Sequence, residues 1–155
     1  MKAVRNLLIA LTTMVVSQTA FACGDTLYRV GKGVSYRVYT APLPGKVLVY
    51  GQAKEAVQLA EALSQSGHGV RLVETEVELA LEMGKTEYDV VIAAYSEHSA
   101  VEAYQQNSDA DFIPVVWSKE EEKIARQSYD QVLVANRDNI KHYLKAIHKS
   151  LKARV

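Results

Sequence analysis

The segment that most constrains the fold is residues 89–95, which read DVVIAAY. The run is short, almost entirely apolar and β-branched at its start. Such a sequence is typical of a strand that is buried on both faces, as the middle strand of a parallel sheet is. Helix-like segments flank the run on both sides. The sequence therefore predicts a sheet sandwiched between two layers of helices.

From Lys46 onward, apolar runs alternate with amphipathic segments five times. The predicted strands are Val47–Tyr50, Val70–Val73, the central run, Phe112–Trp117 and Gln131–Ala135. The predicted helices cover residues 53–66, 75–83, 97–106, 118–127 and from 136 or 138 to 152. This alternation predicts an α/β fold, a (βα)5 doubly wound parallel sheet in three layers, α/β/α, with right-handed crossovers.

Individual residues mark the ends of these elements. Thr75 and Ser118 are each followed three residues later by a glutamate, which is the pattern of a helix capping box. Gly67 and Gly84 are expected to end the first two helices. Pro114 is expected near the start of its strand, where a missing N–H group is tolerated.

Composition limits the classes of function. The chain has 155 residues and 48% hydrophobic content, which suits one globular domain. Basic and acidic residues balance at 18 each, so there is no general nucleic-acid footprint.

The N-terminus has the form of a secretory signal peptide. Lys2 and Arg5 precede the apolar residues 7–16, and Ala20-Phe21-Ala22 provides a cleavage site. The apolar run is shorter than the roughly 20 residues that a membrane span needs. We therefore predict residues 1–22 as a signal, cleavage between Ala22 and Cys23, a periplasmic location and no membrane span.

Cys23 is the only cysteine and would be the first residue after cleavage. A lipoprotein signal also ends before a cysteine, but the bulky Phe21 disfavours lipidation. A lone cysteine cannot form an internal disulfide, so Cys23 is a candidate intermolecular thiol or lipid site, or a small buried hydrophobe.

Residues 23–45 are predicted to form an N-terminal arm and a proline-rich linker. Two segments of partial period-two alternation surround Gly31 and Gly33, which predicts a short hairpin or extended arm. Its candidate interaction residues are Tyr28, Arg29, Tyr36, Arg37 and Tyr39. The alternative is that these side chains pack the arm onto the sheet edge. Pro42 and Pro44 stiffen the linker.

The layout over Lys46 to Lys152 resembles the receiver domain of bacterial two-component response regulators. The matching segments are residues 46–49 (KVLV), 88–92 (YDVVI) and 113–116 (IPVV), together with their spacing. The resemblance implies a flavodoxin-like (CheY-like) sheet with strand order 2-1-3-4-5 over residues 46–155.

The resemblance also implies an acidic pair after the first strand, a phosphoacceptor aspartate after the third and a lysine after the fifth. The corresponding positions here are Gly51 and Gln52, Ala94, and Ala135. Without carboxylates there is no oxygen cage for Mg²⁺, and alanine cannot form an acyl phosphate. The sequence predicts a degenerate pseudo-receiver that has no metal, no cofactor and no enzymatic activity.

Other chemistry has little support. A single glycine after the first strand does not make a phosphate cradle for a flavin or dinucleotide. The four histidines lack metal-ligand spacing. Ser96-Glu97-His98-Ser99 is a polar cluster, but no nucleophile elbow accompanies it, and Glu97 and His98 suit the first turn of a helix.

Two functions remain open. The first is a non-catalytic signalling or interaction module that binds another envelope protein. The second is a small-ligand-binding protein that uses the crevice at the carboxyl ends of the strands. The candidate crevice residues are Tyr50, Gln52, Tyr95, Ser96, Trp117 and Ser118.

Overall fold

The computed structural model describes residues 40–105 and 108–154. Its strands are β1 (Lys46–Tyr50), β2 (Gly69–Val73), β3 (Val90–Ala94), β4 (Asp111–Val116) and β5 (Leu133–Val134). Its α-helices are α1 (Lys54–Gln65), α2 (Glu76–Lys85), α3 (His98–Gln105), α4 (Lys119–Ser128) and α5 (Ile140–Lys152). A 3₁₀ turn, Tyr95–Glu97, precedes α3. The strands form one parallel sheet in the order β2-β1-β3-β4-β5, which confirms the predicted fold.

The central strand β3 is buried on both faces, as the sequence predicts. Val90, Val91 and Ile92 are at most 1% exposed. Val90 and Ile92 belong to one apolar core, whereas Val91 and Ala93 belong to another. Because successive side chains of a strand point to opposite faces, β3 joins the two cores through the sheet.

The helices divide between the two faces of the sheet. On the first face, Leu63 of α1 and Ile147 of α5 are fully buried against the sheet. On the second face, Leu79 of α2 and Val101 of α3 are equally buried, and Ala125 of α4 covers a smaller core beside them. Both layers of helices are therefore held by apolar contact with the sheet.

Most of the predicted end signals are confirmed. Thr75 and Ser118 each form a complete capping box. Gly67 follows α1 with a φ of 96°, a conformation that favours glycine. Gly84 was predicted to end α2, but the helix continues through it to Lys85, whose charge complements the helix C-terminus.

The fifth strand is shorter than predicted. It spans Leu133–Val134 rather than Gln131–Ala135. The chain turns after Val134, whose carbonyl accepts the N–H groups of Arg137 at 3.0 Å and Asp138 at 2.8 Å. The helix after it begins at Ile140, later than predicted, with Asn139 as its N-cap. Thus Asp138 belongs to the turn after the strand and does not start the helix.

Pro114 also differs from its predicted place near the start of a strand. It lies inside β4, which runs from Asp111 to Val116. The Asp111 N–H faces β3, so alternation turns the Pro114 nitrogen toward β5. The pairing of β4 with β5 begins only at Val115, so no ladder hydrogen bond is lost.

The described part of the linker is fixed to the domain. The Ala41 N–H donates to the Ser66 carbonyl at 2.7 Å, and the Gly45 N–H donates to Nδ1 of His68 at 3.2 Å. The signal region, Cys23 and all five arm residues lie outside the described residues. Among the helices of residues 40–105 and 108–154, none is long and apolar enough to cross a membrane.

We expect His68 to make stability depend on pH. The side chain is 5% exposed, and burial lowers its pKa from the ordinary 6.5. Its Nδ1 accepts a hydrogen bond, which requires an unprotonated nitrogen. Below pH 6.5 the unfolded chain therefore binds more protons at this residue than the native chain does. The free energy of unfolding consequently decreases as the pH is lowered.

The measurement is urea unfolding at pH 7 and pH 5. The decrease in the free energy of unfolding from pH 7 to pH 5 should be smaller in His68→Asn than in the wild type. His142→Gln is the control, because His142 is exposed and glutamine preserves its capping-box position. An unchanged loss in His68→Asn would show that His68 does not titrate on unfolding.

Candidate functional site

A cleft of about 470 Å³ opens at the carboxyl ends of β1, β3 and β4. The helices that follow β1 and β3 pack on opposite faces of the sheet, so the chain changes direction between these two neighbouring strands. Doubly wound folds place ligand sites in the crevice at such a switch point. The volume is in the range of small-molecule sites.

The floor of the cleft is apolar. Ile92 of β3 and Val115 of β4 line it together with Leu59 of α1. Tyr143 of α5 also lines it and is only 4% exposed. Burial, followed by the charge of Asp138, raises the pKa of Tyr143 to about 12, so its phenol is neutral at physiological pH.

The walls carry aromatic and acidic side chains. Tyr50 and the 52% exposed Trp117 supply the aromatic rings. Within the described part of the chain, three glutamates line the cleft and no lysine, arginine or histidine does; the glutamates are Glu55, Glu74 and Glu97. Burial, and then the charges of Glu97 and Glu76, raise the pKa of Tyr50. The cleft is therefore a region of negative potential.

The positions that the sequence resemblance assigns to the acidic site of a receiver all line this cleft. Gly51, Gln52 and Ala94 all line it, but none has a carboxylate. Over residues 40–105 and 108–154, no three His, Cys, Asp or Glu side chains are placed to hold a metal ion. The arrangement at these three positions offers neither a phosphoacceptor nor a hard-oxygen metal cage.

Ala135, at the position of the receiver lysine, packs against the first core and does not line the cleft. Two residues later, the Arg137 guanidinium contacts Glu122 at 3.1 Å and Asp138 at 3.3 Å. Hydrogen bonds from Arg126 and Arg137 lower the pKa of Glu122. The arginine nearest to the end of β5 is thus engaged in tying this loop to α4.

The structure brings together three of the six crevice residues that the sequence suggested. Tyr50, Gln52 and Trp117 line the cleft, whereas Tyr95, Ser96 and Ser118 do not. Ser96 is exposed in the 3₁₀ turn. Ser118 accepts the Glu121 N–H at 3.1 Å as the N-cap of α4.

Tyr95 belongs to an aromatic cluster beside the cleft. Its ring stacks on His98 at 4.9 Å and meets Tyr129 edge-on at 6.4 Å. Tyr129 also meets Phe112 edge-on at 5.2 Å, and its hydroxyl donates to Glu102. These contacts link α3 to the end of α4, so the Tyr95 ring has a packing role.

The sequence interpretation missed Tyr143 and the acidic side chains of the cleft. Glu74 directly follows β2, and Glu97 lies in the turn after β3. Their positions after strands were a usable signal, since the carboxyl ends of parallel strands share one edge of the sheet. Tyr143 gave no such signal, because its place on the floor depends on how α5 packs.

We expect Ser118 to contribute to stability as a helix cap. Ser118→Ala removes the acceptor of the Glu121 N–H and should lower the free energy of unfolding by about 1 kcal/mol. The exposed Ser96 is the matched control, and Ser96→Ala should change it by less than about 0.5 kcal/mol. Urea unfolding measures both; equal losses in the two variants would contradict the capping role.

Comparisons with known proteins support the architecture. No protein-family model and no curated protein matches the sequence. Among solved structures, the chain is similar to a response regulator protein from Burkholderia pseudomallei, determined with a phosphorylated aspartic acid, a calcium ion and citrate. The match has a TM-score of 0.55 and 17% identity, and it covers 70% of this chain and 71% of the other. At this identity the likeness concerns the fold: residues 46–152 form a domain with the architecture of a response-regulator receiver.

Proposed function

We propose that this protein is a secreted pseudo-receiver, which is not phosphorylated and acts in the periplasm by binding another envelope protein. The observation that carries the proposal is that Gly51, Gln52 and Ala94 lie together in the cleft where a receiver has its acidic site. The strands and helices that bring these positions together are all present, and only the carboxylates at the positions are replaced.

The replacements remove both parts of phosphotransfer. An acyl phosphate forms on a carboxylate oxygen, and the methyl group of Ala94 has none. The Mg²⁺ ion that neutralises a transferring phosphoryl group needs several oxygen ligands, and Gly51 supplies no side chain. Without a bound Mg²⁺ ion to neutralise it, the charge of Glu97 would repel a phosphodonor. Binding is the function that remains for such a domain.

The N-terminal sequence supports the location. Lys2, Arg5, the apolar residues 7–16 and the Ala20-Phe21-Ala22 site fit a cleaved signal. Removal of residues 1–22 takes away two basic residues and leaves a net charge of −2. The Tyr/Arg arm and Cys23 would then form the new N-terminal region, with side chains that are enriched at protein interfaces.

A second candidate function has its own observation. The cleft is concave, has an apolar floor and lies at the switch point of the sheet, and its volume is about 470 Å³. These properties are typical of small-molecule sites. Under this alternative the protein binds a small ligand in the periplasm, and Tyr50, Gln52 and Trp117 contact it.

Intact mass spectrometry of the protein from its native envelope tests secretion and phosphorylation together. We expect the mass of residues 23–155, unchanged after incubation with acetyl phosphate and Mg²⁺, while a phosphorylatable receiver treated in parallel gains one phosphate. A phosphate adduct would refute the pseudo-receiver function. Retention of residues 1–22 would refute cleavage, and an acyl adduct would place the protein on a membrane through Cys23.

Chemical crosslinking in intact cells tests the protein partner. We expect a discrete crosslinked species that is lost in an arm variant, Tyr36→Ser with Arg37→Ser. The matched control is Lys123→Ser, which changes an exposed side chain of α4. Absence of any crosslinked species from the wild-type protein would contradict the interaction module.

A further inference from the structure

The cleft combines exposed aromatic rings with an excess of negative charge, and this combination indicates the class of ligand. We propose that it binds a small organic cation, a primary or quaternary ammonium compound, with the carboxylates of Glu74 and Glu97 as its counter-charges. The inference deepens the second candidate function, small-ligand binding, and rests on it. It does not depend on whether a protein partner exists.

The balance of charge in the cleft favours a cation. Of the side chains in residues 40–105 and 108–154, three glutamates and no basic residue line it. The N-terminus of α1, which also borders the cleft through Ala53, contributes about half a positive charge. This is less than the charge of the Glu74 and Glu97 carboxylates together. The carboxylates of Glu74 and Glu97 would repel an anionic or phosphorylated ligand.

Tyr50 gives a second sign of the negative potential. After burial, the charges of Glu97 and Glu76 are the largest causes of the raised pKa of its phenol. These two glutamates come from different segments, the turn after β3 and the start of α2. Their fields therefore converge on one wall of the cleft, where a cation would be stabilised.

Trp117 supplies a surface that suits an ammonium group. Its side chain is 52% exposed and belongs to none of the cores formed by the described residues. Its backbone is fixed, because the Trp117 N–H donates to the Glu121 carboxylate at 2.9 Å. A cation over an indole face gains electrostatic attraction from the ring, more than over other aromatic side chains.

Trp117 is the only tryptophan of the chain, so fluorescence that is excited selectively at tryptophan, and not at the nine tyrosines, reports on this cleft. Butylammonium and tetramethylammonium are titrated into the full protein, with butanol and butyrate as neutral and anionic counterparts. We expect a saturable change in emission with the two ammonium ions only. No saturable change with either ion, or an equal response to butanol or butyrate, would overturn the proposal.

Variants then test the two carboxylates. Glu74→Gln and Glu97→Gln should each weaken ammonium binding by about tenfold, as expected for the loss of one charge-assisted contact. Glu87→Gln is the matched control, since Glu87 is exposed and precedes β3 at the opposite end of the strand. Thermal unfolding verifies that each variant is folded. Wild-type affinity in the folded Glu74→Gln, Glu97→Gln double variant would overturn the assignment.

Ammonium binding and the pseudo-receiver function can fail independently of each other. Failure of ammonium binding with no phosphorylation would leave the pseudo-receiver and its protein partner standing. Phosphorylation by acetyl phosphate would instead refute the pseudo-receiver function, whether or not the ammonium ions bind.

Discussion

The structure depends on the burial of β3 from both sides. Its alternate side chains enter two separate cores, so one strand anchors α1 and α5 on one face and α2 and α3 on the other. A polar residue inside this strand would lie unpaired in an apolar core, which is costly. Polar or reactive side chains can therefore be placed only at the carboxyl end of the strand, where Ala94 and the following turn reach the cleft.

The same topology determines where the cleft lies and what remains in it. Because β1 and β3 are neighbours while their helices leave on opposite faces, the loops after them separate and a crevice opens between them. This geometry does not require catalytic groups: Gly51, Gln52 and Ala94 occupy the crevice without supplying any. The charges that line it come from Glu55 in the first turn of α1, Glu74 after β2 and Glu97 in the turn after β3. The strand order thus opens this crevice whatever side chains line it.

The sequence predicts what local patterns control. The double burial of β3, the capping boxes at Thr75 and Ser118, and the strand order implied by the resemblance were all confirmed. The short β5 was not predicted, since its end depends on a turn in which the Arg137 and Asp138 N–H groups donate to the Val134 carbonyl. Likewise, Tyr95 was expected in the crevice, but its ring packs with Tyr129, a residue far away in the chain. Long-range packing decides such details.

An NMR titration of the full protein with Mg²⁺ tests most directly whether the cleft binds the ion as the acidic site of a receiver does. If the cleft has lost the acidic site of a receiver, amide shifts at residues 50–52 and 94–97 should show no saturable change at millimolar Mg²⁺. Saturable shifts confined to those residues would contradict the proposal that the cleft lacks a receiver's acidic site. They would show that the glutamates around the cleft have replaced the missing acidic site.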